Sequence, residues 1–376
     1  MVRPEAEVVV DALAHLGSLG GPRLLLKRFA RHPGEALLSS LLTWTEPIAH
    51  PRLGRLATFG RHGWPQALSQ AMSDLGWPQV QAIFSRLGVR DMVADMDRSG
   101  IAPTWVHTLE PYFPSEPVIE AISAYSGRFS LSVGLDPYHL DPEARLAELL
   151  ERHPIHGLKI HPQLQLIHLG DPRLDRLMGL AERHRLAVTF HTGTFPFRTC
   201  GWEDARLLVP LLDACSRQPV ILAHIGWDQS ERVLDLASRR PWVLVETSWQ
   251  DPATIGAAVQ RLGADRVLFG SDWPLLKVRY ALAHVRRALP PGPERDAVLG
   301  GSAMQLLSLK RVSAPPAALG RKRTLAVLSS EHPGNTARGW QAPTCPPRRK
   351  PWRPTGSCPG HAPSPRHPDA SRRPRW

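Results

Sequence analysis

The chain has 376 residues, 42% of them apolar, and a net charge of +12 from 46 Lys/Arg against 34 Asp/Glu. That length suits one large domain with an appendage, or two average domains. Residues 313–376 carry twelve of the basic and two of the acidic residues, hence ten of the twelve net charges, so the folded part is near neutral and is not expected to present a nucleic-acid or membrane surface.

The N-terminus, MVRPEAEVVV, holds acidic residues and lacks the apolar core of a signal peptide, and no run of about 18 apolar residues follows anywhere. Apolar, β-branched runs then recur: VVVDALAH (8–15), IAPTWVH (101–107), RFSLSVGL (128–135), GLKIH (157–161), LAVTFH (186–191), PVILAH (219–224), WVLVET (242–247) and RVLFGSD (266–272). Between them lie amphipathic stretches such as 141–153, with Leu146, Leu149 and Leu150 on one face, and 171–184, with Leu174, Leu177 and Leu180. Asp141 and Asp171 each precede a proline, the pattern of an N-cap followed by an N1 proline.

Eight strands interleaved with helices fit a (β/α)8 TIM barrel over residues 1–312 better than an open doubly wound sheet. The glycines 17, 20 and 21 after the first strand do not form a dinucleotide-binding fingerprint. Between the first two strands, residues 16–100 read as a helical insertion, either a lid on the catalytic face or a packing element. Residues 313–376, rich in Pro and Arg and without a period of 2 or 3.6, read as a disordered basic tail. The four cysteines are scattered without CxxC or framework spacing, which suits a reducing cytoplasm. The expected partner is a small-molecule substrate; a second copy of the chain is left open.

Chemistry concentrates where the apolar runs stop. His15, His107, His161, His191, His224 and Asp272 each close a strand, and in a barrel all strand C-termini meet on one rim. Imidazole and carboxylate are the ligands that zinc and similar ions prefer, and a catalytic site needs only three of them.

The segments GLKIHP (157–162), HTG (191–193), AHIG (223–226), VETS (245–248), LFGSDWP (268–274) and LGGSAMQLL (299–307) resemble, in order and spacing, the amidohydrolase-related family (amidohydrolase family 2), which includes the aminocarboxymuconate semialdehyde decarboxylase-like enzymes. The resemblance spans about residues 8–311. It implies one divalent metal ion, usually zinc, held by His15, His191 and Asp272, with His224 as the proton-transfer residue beside it and Asp272 also catalytic. It implies a metal-dependent hydrolase acting on an ester, lactone or amide. The alternatives are a non-oxidative decarboxylase of a carboxylated aromatic or unsaturated acid on the same scaffold, and a degenerate, non-catalytic barrel.

Two positions depart from the family pattern. Leu13 stands where the first strand usually offers a further ligand, which should weaken metal binding, and Ser302 stands where Asn is usual, which concerns a cap more than chemistry. Lys159 is expected to order substrate or a strand-end network. His161 either contacts substrate or hydrogen-bonds within the rim. Arg198, just after HTG, could pair with a substrate carboxylate or lie in a solvated loop. Glu246 is expected to brace the rim.

Overall fold

The computed structural model describes residues 8–17, 83–84, 86–111, 113–165, 167–193, 204–214 and 218–311. Most of the expected insertion, Arg198 and the basic tail lie outside these residues.

Eight parallel strands follow one another around the sheet in sequence order. They are β1 Val9–Ala14, β2 Ile101–His107, β3 Phe129–Val133, β4 Gly157–Ile160, β5 Ala187–Phe190, β6 Val220–Leu222, β7 Val243–Glu246 and β8 Val267–Leu268. Closure comes from backbone hydrogen bonds between β1 and the segment leaving β8: Ala12 N–H to Phe269 O at 2.8 Å, Asp272 N–H to Leu13 O at 2.7 Å and His15 N–H to Trp273 O at 2.7 Å. The result is a (β/α)8 barrel. Strands buried on both faces need no polar alternation, which is why each reads as an apolar run.

The helices between strands face the barrel with one apolar stripe. In the helix Pro142–Arg152, Leu146 and Leu149 are buried while Asp141 caps the start, accepting from Ala144 N–H at 3.0 Å. In the helix Pro172–Arg183, Leu174, Leu177 and Leu180 are buried and Asp171 accepts from Arg173 N–H at 2.9 Å. Both expected N-caps are formed. At the end of the expected insertion, Val89–Ser99 is a helix whose Met92 and Met96 join the main core. Among the described residues no helix is long and apolar enough to cross a membrane. Ser302, one of the two departures from the family pattern, opens the last helix, Ser302–Arg311, and its hydroxyl donates to Ala264 O at 3.0 Å.

Candidate active site

Because all eight strands run in parallel, their C-terminal ends form one rim. His15, His161 and His191 each sit one residue past a strand, His107 and Glu246 are the last residues of β2 and β7, and His224 and Asp272 follow β6 and β8. Leu158 and Ile160 belong to the core between strands and helices, so the period of two turns Lys159 into the barrel. All eight of these side chains are buried.

The arc from β5 to β7 forms a continuous hydrogen-bonded chain. His191 Nδ1 lies 3.1 Å from His224 Nε2, and His224 Nδ1 lies 2.6 Å from Ser248 Oγ. Ser248 Oγ donates to Glu246 Oε2 at 2.8 Å, and Glu246 also accepts the backbone N–H groups of His224 at 3.0 Å and of Ser248 at 2.5 Å. His161 stacks on His191 with ring centroids 3.8 Å apart and planes 8° from parallel. Its Nδ1 accepts from Leu164 N–H at 3.4 Å, and the His161 backbone N–H donates to Gln165 Oε1 at 2.9 Å.

Glycines make the close approach of these elements possible. A Cβ on Gly270 would overlap the Glu246 carboxylate, and one on Gly193 would overlap Trp227 and the backbone of Gly226. The glycines of the GSD and HTG motifs therefore keep room for the site.

The arc from β1 to β8 is built differently. His15 Nδ1 donates to His107 O at 2.9 Å, and His107 Nε2 donates to Ala12 O at 3.0 Å, so the two rings lock together through backbone carbonyls. The remaining nitrogen of His15, Nε2, faces Asp272 Oδ1 at 3.4 Å. Trp249 Nε1 donates to the other Asp272 oxygen, Oδ2, at 2.7 Å. Asp272 holds a left-handed backbone, φ +56°, an uncommon conformation for a residue with a Cβ. Asp11 steadies it from β1, accepting Ser271 N–H at 2.8 Å and Ser271 Oγ–H at 2.5 Å, with Leu13 N–H at 3.3 Å.

Burial dominates the electrostatics. It pushes His107, His161, His191 and His224 well below the ordinary imidazole value, so at neutral pH these rings are uncharged. Burial also raises Asp11 to about 7 and Glu246 to about 8 against the hydrogen bonds each accepts, with the charge of Asp272 adding to both rises. Lys159 is 1% exposed and pushed down to about 8 by burial, against the pull of Asp272 and Glu246. Its Nζ makes no hydrogen bond among the described residues. A buried ammonium without a partner is costly, and such a group is a common signature of a functional position.

The donor chemistry bears on a metal ion. With Nδ1 of His15 donating to a carbonyl, Nε2 either donates to Asp272 Oδ1 when protonated or offers it a lone pair with a metal ion between the two. The pair therefore fits two positions of a divalent-ion site. Leu13, on the same strand, supplies no donor, and among the described residues no three His, Cys, Asp or Glu side chains are grouped to hold a metal ion.

Of the site residues expected from the sequence, the structure brings His191, His161 and His224 into contact, pairs His15 with Asp272, and buries Lys159 inside the barrel. Glu246 does brace the rim, as expected. Arg198 lies outside the described residues. Sequence reasoning missed Asp11, Ser248, Trp249 and Gln250. The signal for Asp11 was a carboxylate inside the apolar run VVVDALAH, and for the others a polar cluster, TSWQ, directly after strand β7.

Comparison with known proteins agrees with this architecture. The amidohydrolase family model matches residues 62–309. No curated protein matches the sequence. Among solved structures, the chain is similar to the uncharacterized TIM-barrel protein Bb4693 from Bordetella bronchiseptica, with 17% identity, TM-score 0.57, and 81% of this chain and 99% of that one covered. It is similar to 5-carboxyvanillate decarboxylase LigW from Sphingomonas paucimobilis, with 15% identity, TM-score 0.53, and 81% and 99% covered. A third is 2,6-dihydroxybenzoate decarboxylase from Rhizobium, with 17% identity, TM-score 0.50, and 65% and 96% covered. At these identities the structural likeness shows the fold. The family match extends over well more than half of the chain, so the chain belongs to the amidohydrolase family.

Proposed function

We propose that this member of the amidohydrolase family is a metal-dependent hydrolase of an ester, lactone or amide bond in a small molecule. The observation that carries the reading is the meeting of two arcs on one rim, His191 and His224 on one side and His15 and Asp272 on the other. His15 and Asp272, with His191 as third donor, would hold one divalent ion, zinc by donor type. When bound, that ion supplies a Lewis acid which polarises the bond under attack.

The chain's own residues supply the remaining chemistry. His224, neutral and buried, carries the proton between the attacking water and the leaving group at its Nε2, the nitrogen that faces His191 Nδ1 at 3.1 Å, a task suited to a neutral imidazole. Asp272, fixed through Oδ2 by Trp249, keeps Oδ1 for the site and serves as the second proton acceptor. Lys159 offers an anion-binding charge inside the barrel, and the stacked His161 and His191 rings wall off solvent. Arg198 is proposed as a second contact for a substrate carboxylate.

Lys159 also favours a second reading, non-oxidative decarboxylation of a carboxylated aromatic or unsaturated acid, because a buried ammonium suits a substrate carboxylate. Two of the structurally similar proteins are decarboxylases by name. Turnover in water labelled with oxygen-18 separates the two. Label in the product acid supports hydrolysis, whereas carbon dioxide release without label in the product selects decarboxylation.

A further inference from the structure

His224 sits in an unusual turn. Four consecutive residues have positive φ, 61° at His224, 42° at Ile225, 76° at Gly226 and 50° at Trp227. Such conformations cost energy for residues with a Cβ and persist only where neighbours over-determine them. One segment, leaving β7, does this on three sides of His224. Glu246 accepts its backbone N–H at 3.0 Å, Gln250 Nε2 donates to its carbonyl, and Ser248 Oγ meets its Nδ1 at 2.6 Å.

Proton bookkeeping gives this clamp a direction. Glu246 receives three donors, two backbone N–H groups and the Ser248 hydroxyl. A serine hydroxyl has one proton. With Glu246 ionised and that proton given to it, Ser248 can only accept at its contact with His224, so the imidazole proton is on Nδ1. His224 Nε2 is then a lone pair, and the 3.1 Å contact with His191 is a bond donated by His191 Nδ1.

We infer that Ser248 is a positioning residue that fixes His224 as its Nδ1–H tautomer, leaving Nε2 as the acceptor nitrogen, turned toward His191 on the rim. The inference rests on the reading of His224 as the proton carrier. An imidazole with the other tautomer would turn an N–H toward the place where a proton has to be received, which would leave the ring correctly placed but chemically idle. Neither Glu246 nor Ser248 has to touch substrate for this. Each acts through the ring it orients.

The test is nitrogen-15 NMR of the full chain labelled at histidine, with the His224 signals identified by their loss in His224→Asn. The spectra are recorded at about pH 9, above the value of about 8 to which burial raises Glu246, so that Glu246 is a carboxylate and the ring is neutral. The expected wild-type pattern is a neutral imidazole protonated at Nδ1. Ser248→Ala should move at least half of the His224 population to the Nε2–H form, and Ser248→Thr, which keeps the hydroxyl, should restore the wild-type pattern. An Nε2–H pattern in the wild-type chain overturns the inference without recourse to any variant, and so does a Ser248→Ala spectrum unchanged from wild type. The two readings fail separately. A correct tautomer in a chain that turns over no substrate overturns the proposed function alone, and a wrong tautomer in an active chain overturns this inference alone.

Discussion

The two arcs of the rim are built to different standards. From β5 to β7, the side chains and both backbone polar groups of His224 are fixed through Glu246, Ser248 and Gln250, and glycines at 193 and 270 make room for the packing. From β1 to β8, one imidazole faces one carboxylate at 3.4 Å, and Leu13 on the same strand is apolar. Both arcs are held by protein hydrogen bonds, but the first joins its functional side chains directly to one another, whereas in the second His15 and Asp272 are each fixed by other groups and meet only at 3.4 Å. Preorganised hydrogen bonds cost nothing at the moment of reaction, so loss of a residue from the first arc should damage rate, and changes in the second should act first on metal affinity.

Four outcomes would break or sharpen that contrast. The largest is expected for His224→Asn, which removes the proposed proton carrier and should lower kcat by about 10²- to 10⁴-fold with little change in KM. Steady-state kinetics check it, and a loss confined to KM would contradict it.

Next is Lys159→Met, on β4, where the lysine feels the charges of Asp272 and Glu246. Lys159 titrates at about 8 in the fold against 10.5 in the unfolded chain. Between those values the unfolded chain binds the extra proton, so stability rises with pH; below about 8 the full cost of burying the charge is present, on the order of 3 kcal/mol. Urea unfolding at neutral pH should show Lys159→Met more stable than wild type by about 1–3 kcal/mol, with the gap closing by about pH 10.5. A variant less stable than wild type at neutral pH would show that the ammonium is compensated.

Leu13→His tests the weaker arc by adding the missing donor. Zinc affinity, followed by calorimetry, should rise by about tenfold or more, since an added imidazole completes a larger ligand set. No change would place Leu13 away from the His15–Asp272 pair. If metal uptake and activity both appear only in this variant, the parent is a non-catalytic barrel. The smallest effect is expected remote from both arcs. Asp171→Ala removes the N-cap of helix Pro172–Arg183, and should cost about 1 kcal/mol in urea unfolding while leaving kcat unchanged.

Much of this molecule is legible in its sequence, and unevenly so. The strands were visible because a parallel sheet covered by helices is apolar on both faces, and the rim residues because a His or Asp ends six of the eight runs. The eighth strand shows where that logic stops. The run 266–272 suggests a full strand, yet only Val267–Leu268 pairs with β7, because residues 269–273 bend to bond β1 and Asp272 enters a left-handed conformation. Nor does an apolar run reveal that His224 lies two residues past β6, in a left-handed turn that depends on groups 22 and 26 residues further along the chain. Ser248 and Gln250 were missed for the same reason. Their contacts are made across the barrel, and a period within one strand carries no information about the neighbouring one.

The measurement that bears most directly on the whole account is the rate of the purified full chain beside its Asp272→Asn variant, on ester, lactone, amide and carboxylated aromatic panels. Asp272 faces His15 and is held by Trp249, and it is proposed both to hold the metal ion and to act as the second proton acceptor. The account predicts turnover of at least one class by the wild-type chain and a fall of about a hundredfold or more in the variant. A variant that keeps the full wild-type rate would contradict it.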